Sequence, residues 1–168
     1  MKHLLYTFLI LLFFTACKPT AAIITSKKEN LTKSEKRKTN RLIEQIIDTA
    51  TENIGVKYKT AGTTKAGFDC SGLIYNVFSS YNITLPHSSY EQSKLGTIVN
   101  RNREEVKKGD LIFFKTNSKS KINHVGMVIE VNDDEIKFIH ASTSKGVIIS
   151  STKESYYHGT FAQLNRIL

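Results

Sequence analysis

Cysteine is scarce in this chain, which has only Cys17 and Cys70 among its 168 residues. Two cysteines cannot build a structural zinc site of the Cys₄ or Cys₃His type. They could pair as a disulfide if the chain is exported, because disulfides persist in oxidising compartments. The chemistry open to Cys70 therefore depends on what happens to Cys17.

Long apolar runs are also missing. The longest one, Leu4 to Phe14, has eleven residues, whereas a helix that crosses a membrane needs about twenty. Lys2 precedes this run and the small residues Thr15 and Ala16 end it. A basic start, a short apolar core and small residues at its end are typical of a secretory signal, which we place at residues 1–17.

The end of this signal has a more specific form. Phe14-Thr15-Ala16-Cys17 resembles the bacterial lipobox, in which the cysteine is lipidated and becomes the new N-terminus. A lipidated Cys17 would anchor the protein to a membrane, facing the cell wall or periplasm. It would also leave Cys70 as the only free thiol. Simple cleavage near Ala16, without lipidation, is the alternative.

Acidic residues are outnumbered by 15 to 24, so the formal net charge is +9. Eight of the basic residues lie between Lys18 and Arg41. No aromatic residue interleaves this run, so we expect no nucleic-acid partner. Residues 18–31 are polar without clear periodicity and predict a basic tether that lies near anionic lipid headgroups. Residues 32–168 predict a single folded domain, which we expect to be monomeric.

Helical periodicity dominates the first half of this domain and strand-like runs dominate the second half. Apolar residues four apart predict a helix that starts near Ser34 or Thr39, and a second helix follows Asp69. A short third helix is expected from Ser88 to about Lys94. Strands are expected at residues 111–114, 124–131, 135–140, 147–150 and 161–167. This order predicts an α+β fold, with helices packed on a central antiparallel sheet.

Cys70 lies where the second helix begins. Asp69 is a favourable N-cap residue, and the apolar positions that follow Cys70 recur at helical spacing. The macrodipole and unpaired N–H groups of a helix start stabilise a thiolate, so this position predicts a lowered thiol pKa. The alternative is a buried cysteine that packs as a small hydrophobic side chain.

A thiolate nucleophile needs a base, and two histidines lie on strands expected to pair. His124 begins one strand and His140 ends the next, so a bulge or a diagonal offset would bring the two rings within reach. Each could instead be a structural histidine, and a zinc site with Cys70 is possible in principle, although we expect no metal. His87 and His158 are expected to have surface or capping roles.

Five motifs, taken together, identify a family resemblance. In order and spacing they are similar to those of the NlpC/P60 family of bacterial cysteine peptidases. The resemblance implies a papain-like fold, no cofactor, and peptidoglycan stem peptides as the substrate. The matching motifs are Phe68-Asp69-Cys70-Ser71-Gly72-Leu73, Leu85-Pro86-His87-Ser88-Ser89, Lys108-Gly109-Asp110-Leu111-Ile112-Phe113-Phe114, His124-Val125-Gly126-Met127 and Ile139-His140-Ala141.

The resemblance also implies roles for individual residues. Cys70 matches the nucleophile, His124 the general base and acid, and His140 the residue that orients His124. Tyr58 matches a tyrosine whose hydroxyl lies near the oxyanion and the substrate.

Two further residues match positions beside the nucleophile. Ser71 matches a serine with a substrate-binding role. Asp69 contacts substrate in the family as well, although an N-cap is the simpler explanation for it here. Ala61 replaces a glycine of the family's Tyr-x-x-Gly-Gly loop, which affects the shape of the nearby pocket.

Other functions fit the same residues. Papain-like relatives include amidases and acyltransferases, which would keep the thiol chemistry and change the bond or the acceptor. A non-catalytic, peptidoglycan-binding lipoprotein is the alternative from a different class. The motifs leave open which stem-peptide bond is cut.

Overall fold

The protein is represented by a computed structural model that describes residues 32–101, 105–117 and 121–168. The expected signal at residues 1–17, including Cys17, and the tether at residues 18–31 lie outside the described residues. The elements, in chain order, are α1 (Lys33–Thr51), β1 (Thr63–Thr64), β2 (Gly67–Phe68), α2 (Cys70–Ser79), α3 (Ser89–Gln92), β3 (Thr97–Val99), β4 (Leu111–Phe114), β5 (His124–Val131), β6 (Ile136–Ser142), β7 (Gly146–Ser151), α4 (Ser155–Thr160) and β8 (Phe161–Arg166).

Six of the strands form one antiparallel sheet in the order β3-β8-β4-β5-β6-β7. β1 and β2 form a separate small hairpin just before α2. Because consecutive strands β4 to β7 are mostly joined by tight connections, each pairs with its neighbour in the chain. This architecture confirms the expected α+β fold with a central antiparallel sheet.

The sheet has a packed core on each face. Side chains alternate between the faces along a strand, so Leu111 and Phe113 enter one core while Ile112 and Phe114 enter the other. The first core lies against α1 and α2. The second contains Val128 and Phe138 of the sheet together with residues from α4 and β8. Every residue of β4 is buried as a result.

The first helix begins earlier than the sequence pattern predicted. It starts at Lys33, after Thr32, and not at Ser34 or Thr39. Thr32 Oγ1 accepts from the Glu35 N–H at 3.3 Å, while Glu35 Oε2 accepts from the Thr32 N–H at 2.7 Å. This reciprocal capping box satisfies two backbone donors and explains the earlier start.

Other elements differ at their ends or were not predicted. α3 ends at Gln92 and does not reach Lys94, while the remaining predicted strands match within one or two residues. The hairpin β1–β2, the edge strand β3 and the helix α4 were missed. These elements are two to six residues long, too short for hydrophobic periodicity to show. Among the described residues, no helix has the length and hydropathy needed to cross a membrane.

Candidate active site

Asp69 caps α2 as the sequence predicted. Its Oδ1 accepts from the Gly72 N–H at 2.6 Å and from the Ser71 hydroxyl at 3.0 Å. The same carboxylate therefore holds the first turn of the helix and the side chain that follows Cys70. The Ser71 hydroxyl, expected to bind substrate, is directed to Asp69 and is largely buried.

The loop before the hairpin lies directly on this helix start. The Asp69 N–H donates to the Gly62 carbonyl at 3.0 Å, and a Cβ at Gly72 would approach that carbonyl oxygen to 2.0 Å. Only glycine allows so close an approach at this position. Ala61, which replaces a family glycine, has a φ of 55°, in the left-handed region that glycine adopts without strain.

Tyr58, from the start of this loop, lies close to the thiol. Burial raises the pKa of its hydroxyl, and the nearby Cys70 and Asp69 raise it further. The hydroxyl therefore stays protonated and can donate a hydrogen bond beside Cys70. The role near the oxyanion and the substrate that the family resemblance implied for Tyr58 stays a prediction.

Cys70 is nearly buried, with 9% of its surface exposed. Its Sγ lies 3.9 Å from the Asn123 carbonyl oxygen, and the Val125 N–H is directed at the sulfur. These two residues precede and follow His124 at the start of β5. The thiol therefore faces the backbone on both sides of the histidine that was predicted as its base.

The structure brings His124 and His140 together. His124 Nε2 lies 2.9 Å from His140 Nδ1, and the two rings meet edge to face. Met127 pairs with Ile139, so the two histidines lie diagonally across β5 and β6, which is the diagonal offset that the sequence allowed; a register shift follows between Val128 and Glu130. Gly126 makes room for the pair, because a Cβ there would lie 3.2 Å from His140 Cβ.

The second nitrogen of His140 has two partners that the sequence analysis missed. His140 Nε2 lies 3.2 Å from Ser150 Oγ and 3.2 Å from the Tyr157 hydroxyl. His140 itself has no exposed surface. In β7, Ser150 pairs with Phe138 and so lies on the face that His140 shares, which a period of two along the predicted strands could have indicated. No sequence pattern predicted Tyr157, because it comes from the short helix α4.

Burial keeps Cys70, His124 and His140 uncharged near neutral pH. It raises the pKa of the Cys70 thiol to about 11; the Asp69 carboxylate adds to the rise, and the backbone N–H groups of Val125 and of the helix start oppose it. Burial lowers the pKa of His124 to about 4. Burial, followed by the charge of His124, lowers the pKa of His140 to about 3. The predicted lowering of the thiol pKa was therefore wrong, because desolvation outweighs the helix start.

His87 lies closer to the site than its expected surface role suggested. Its Nε2 lies 3.2 Å from both carboxylate oxygens of Asp69, and its ring stacks on Tyr75. His158 lies in the last turn of α4 and is exposed. Among residues 32–101, 105–117 and 121–168, no group of three His, Cys, Asp or Glu side chains could hold a metal ion.

The site therefore consists of a cysteine at the start of a helix and two hydrogen-bonded histidines on adjacent strands. The NlpC/P60 family profile matches residues 55–166, which include all three side chains. The chain belongs to the NlpC/P60 family. Its papain-like α+β fold and the order of its motifs agree with that membership.

Relatives in this family are named as endopeptidases. The chain is 41% identical over 156 residues to a Haemophilus influenzae protein named "Probable endopeptidase NlpC homolog", covering 89% of this chain and 79% of that one. It is 39% identical over 125 residues to the Escherichia coli K12 "Murein DD-endopeptidase MepS/Murein LD-carboxypeptidase", covering 74% of this chain. It spans 62% of that relative's length.

A solved structure supports the fold. An NlpC/P60 family protein from Bacillus cereus superposes with a TM-score of 0.66 at 34% identity, covering 75% of this chain and 40% of that one.

Proposed function

We propose that this protein is a cysteine endopeptidase that hydrolyses amide bonds in peptidoglycan stem peptides. The observation that carries the proposal is the Cys70 sulfur lying against the backbone on both sides of His124, while His124 is hydrogen-bonded to His140. The names of the NlpC and MepS relatives support the substrate class. Family membership supports a peptidase as the enzyme class.

Each ring nitrogen of the two histidines either accepts a proton or makes a hydrogen bond that orients the ring. His124 Nε2 is bonded to His140 Nδ1, which leaves His124 Nδ1 for the proton of the Cys70 thiol. For that nitrogen to accept a proton, His124 must donate through Nε2–H, and His140 must then carry its own proton on Nε2. Ser150 Oγ and the Tyr157 hydroxyl oxygen can both accept from that N–H. His140 therefore orients His124 and selects its reactive tautomer.

Because Cys70 and His124 are neutral at rest, catalysis starts with proton transfer. His124 Nδ1 takes the thiol proton as the sulfur attacks the amide carbonyl carbon, and charge appears on both groups together. The backbone N–H at the start of α2 and the Tyr58 hydroxyl are the donors nearest the developing oxyanion. Neither Cys70 nor His124 needs to be ionised before the substrate binds.

The intermediate then divides in two steps. His124 returns its proton to the amine nitrogen, the C–N bond breaks, and the acyl group remains on Cys70 as a thioester. Water attacks the thioester as His124 takes one of its protons, and the thiol is regenerated. The products are a new carboxylate and a new amine, with no cofactor consumed.

We also propose that the enzyme is exported and attached to a membrane through a lipid on Cys17. The lipobox-like end of the signal at residues 14–17 and the basic run that follows it support this proposal. Mass spectrometry of the mature N-terminus tests it. A diacylated or triacylated N-terminal cysteine is expected, and an unmodified N-terminal peptide would contradict the anchor.

The peptidase proposal is tested by incubating purified peptidoglycan with wild-type protein and with Cys70→Ala. Wild-type protein should release soluble muropeptides whose masses show the gain of water at one amide bond, and Cys70→Ala should release none. Equal thermal unfolding midpoints for wild-type protein and Cys70→Ala would show that the variant keeps the fold. Products lacking the water oxygen would indicate acyl transfer, and muropeptide release by Cys70→Ala would contradict the proposal.

A further inference from the structure

A cleft of about 270 Å³ is lined by His124 but not by Cys70. Its other walls come from the end of β6 and the turn that follows it, at residues 142–145, and from α4. The cleft therefore includes the proposed general acid and not the nucleophile.

The proton transfers of the proposed mechanism assign this cleft to one side of the substrate. His124 donates its proton to the departing amine, so that nitrogen must lie against the His124 ring in the acylation step. The acyl part of the substrate stays on Cys70. Atoms bonded to the amine therefore extend beyond His124, and the cleft that His124 lines is positioned to receive them.

The charges in the cleft indicate which chemical group it binds. Lys145 lines the cleft, its side chain is exposed, and it forms no ion pair with any other described residue. Glu154 also lines the cleft, but its Oε1 accepts from the Ser151 N–H at 2.8 Å. The hydroxyl side chains of residues 142–144 line the same cleft, and Ser142 Oγ lies 3.4 Å from Ser144 Oγ. A free ammonium among hydroxyl donors is complementary to a carboxylate.

We propose that this cleft binds the leaving component of the substrate through a carboxylate that pairs with Lys145. The inference rests on the proposed peptidase function, because the departing amine defines which side is the leaving side. It also fits the chemistry of stem peptides. An amino acid released by cleavage on its amine side keeps its own carboxyl group, which is charged when that group is not amidated.

Two matched peptide substrates test the proposal. They share the same scissile bond and differ only in the leaving component, which carries a free carboxylate in one and a carboxamide in the other. Wild-type protein should have a lower KM for the carboxylate substrate. Lys145→Gln should raise that KM about two- to fivefold with little change in kcat, as expected for an exposed ion pair. The KM values of Lys145→Gln for the two substrates should be equal.

Two further variants separate a specific contact from a general effect of charge. Lys145→Arg should keep the preference for the carboxylate. Lys153→Gln removes the same unit of charge from an exposed lysine that pairs with Asp134 and lies outside the cleft, so it should also keep the preference. A preference that survives in Lys145→Gln, or that wild-type protein never shows, would overturn the proposal. A wild-type protein that cleaves neither substrate would overturn the proposed function first, and this inference with it.

Discussion

The contacts of His140 lead to a quantitative prediction about the two residues beside its second nitrogen, Ser150 and Tyr157. Ser150 and Tyr157 both lie 3.2 Å from His140 Nε2, and both are buried. Because two acceptors share one N–H, either can be removed while the other still satisfies it. Removing both leaves a buried donor without a partner on a residue that is itself fully buried.

The free energies follow from this difference. Ser150→Ala or Tyr157→Phe alone should lower the free energy of unfolding by about 0.5–1.5 kcal/mol, the usual net value of one hydrogen bond. The double variant also leaves the His140 N–H unsatisfied, which costs about 1–3 kcal/mol more. The double-mutant cycle should therefore show a coupling of about 1–3 kcal/mol beyond the sum of the single changes.

Catalysis should follow the same pattern, because His140 without a hydrogen-bond partner for its Nε2–H no longer selects the reactive tautomer of His124. Each single variant should lower kcat only a few-fold, while the double variant should lower it about 10- to 100-fold. Urea unfolding and steady-state kinetics on a soluble muropeptide provide the two readouts. Tyr90→Phe, which removes an exposed hydroxyl elsewhere, is the matched control. Additive losses in both readouts would refute the reasoning.

Three further predictions concern the same site. His140→Gln should lower kcat less than His124→Ala, because glutamine can still accept from His124 Nε2; equal losses would argue against separate roles. As the pH falls through about 4, kcat/KM should fall because His124 gains a proton and can no longer accept one from the thiol; a loss centred near pH 6.5 would contradict this. Gly72→Ala should destabilise the fold by about 1–3 kcal/mol despite alanine's better helix propensity, because its Cβ would lie 2.0 Å from the Gly62 carbonyl oxygen. Gly159→Ala in α4, where nothing lies within 4 Å of the new Cβ, is the control and should be neutral or stabilising in urea unfolding.

Local patterns predicted much of the fold. The N-cap at Asp69, the strand at residues 111–114 and the pairing of the strands that carry His124 and His140 all follow from capping preferences and side-chain spacing. A diagonal offset between His124 and His140 was also one of the two arrangements that the sequence allowed. Short elements were missed because one or two turns, or two paired residues, leave no periodic signal.

The electrostatics of the site could not be predicted in the same way. A helix start lowers a thiol pKa only when water or opposite charge accompanies it. At Cys70, burial and the Asp69 carboxylate act in the other direction. The contact of His87 with that carboxylate joins residues 18 positions apart. Such effects depend on tertiary packing, which a single sequence does not display.

Alkylation of Cys70 tests the central claim most directly. Purified protein is treated with increasing iodoacetamide at a pH where alkylation proceeds, and peptide mass spectrometry measures the modified fraction of Cys70. Residual peptidoglycan hydrolysis is measured on the same samples. If Cys70 is the nucleophile, activity should fall in proportion to its modification and reach zero when all of it is alkylated. Protein that still cleaves peptidoglycan with Cys70 fully alkylated would contradict the account.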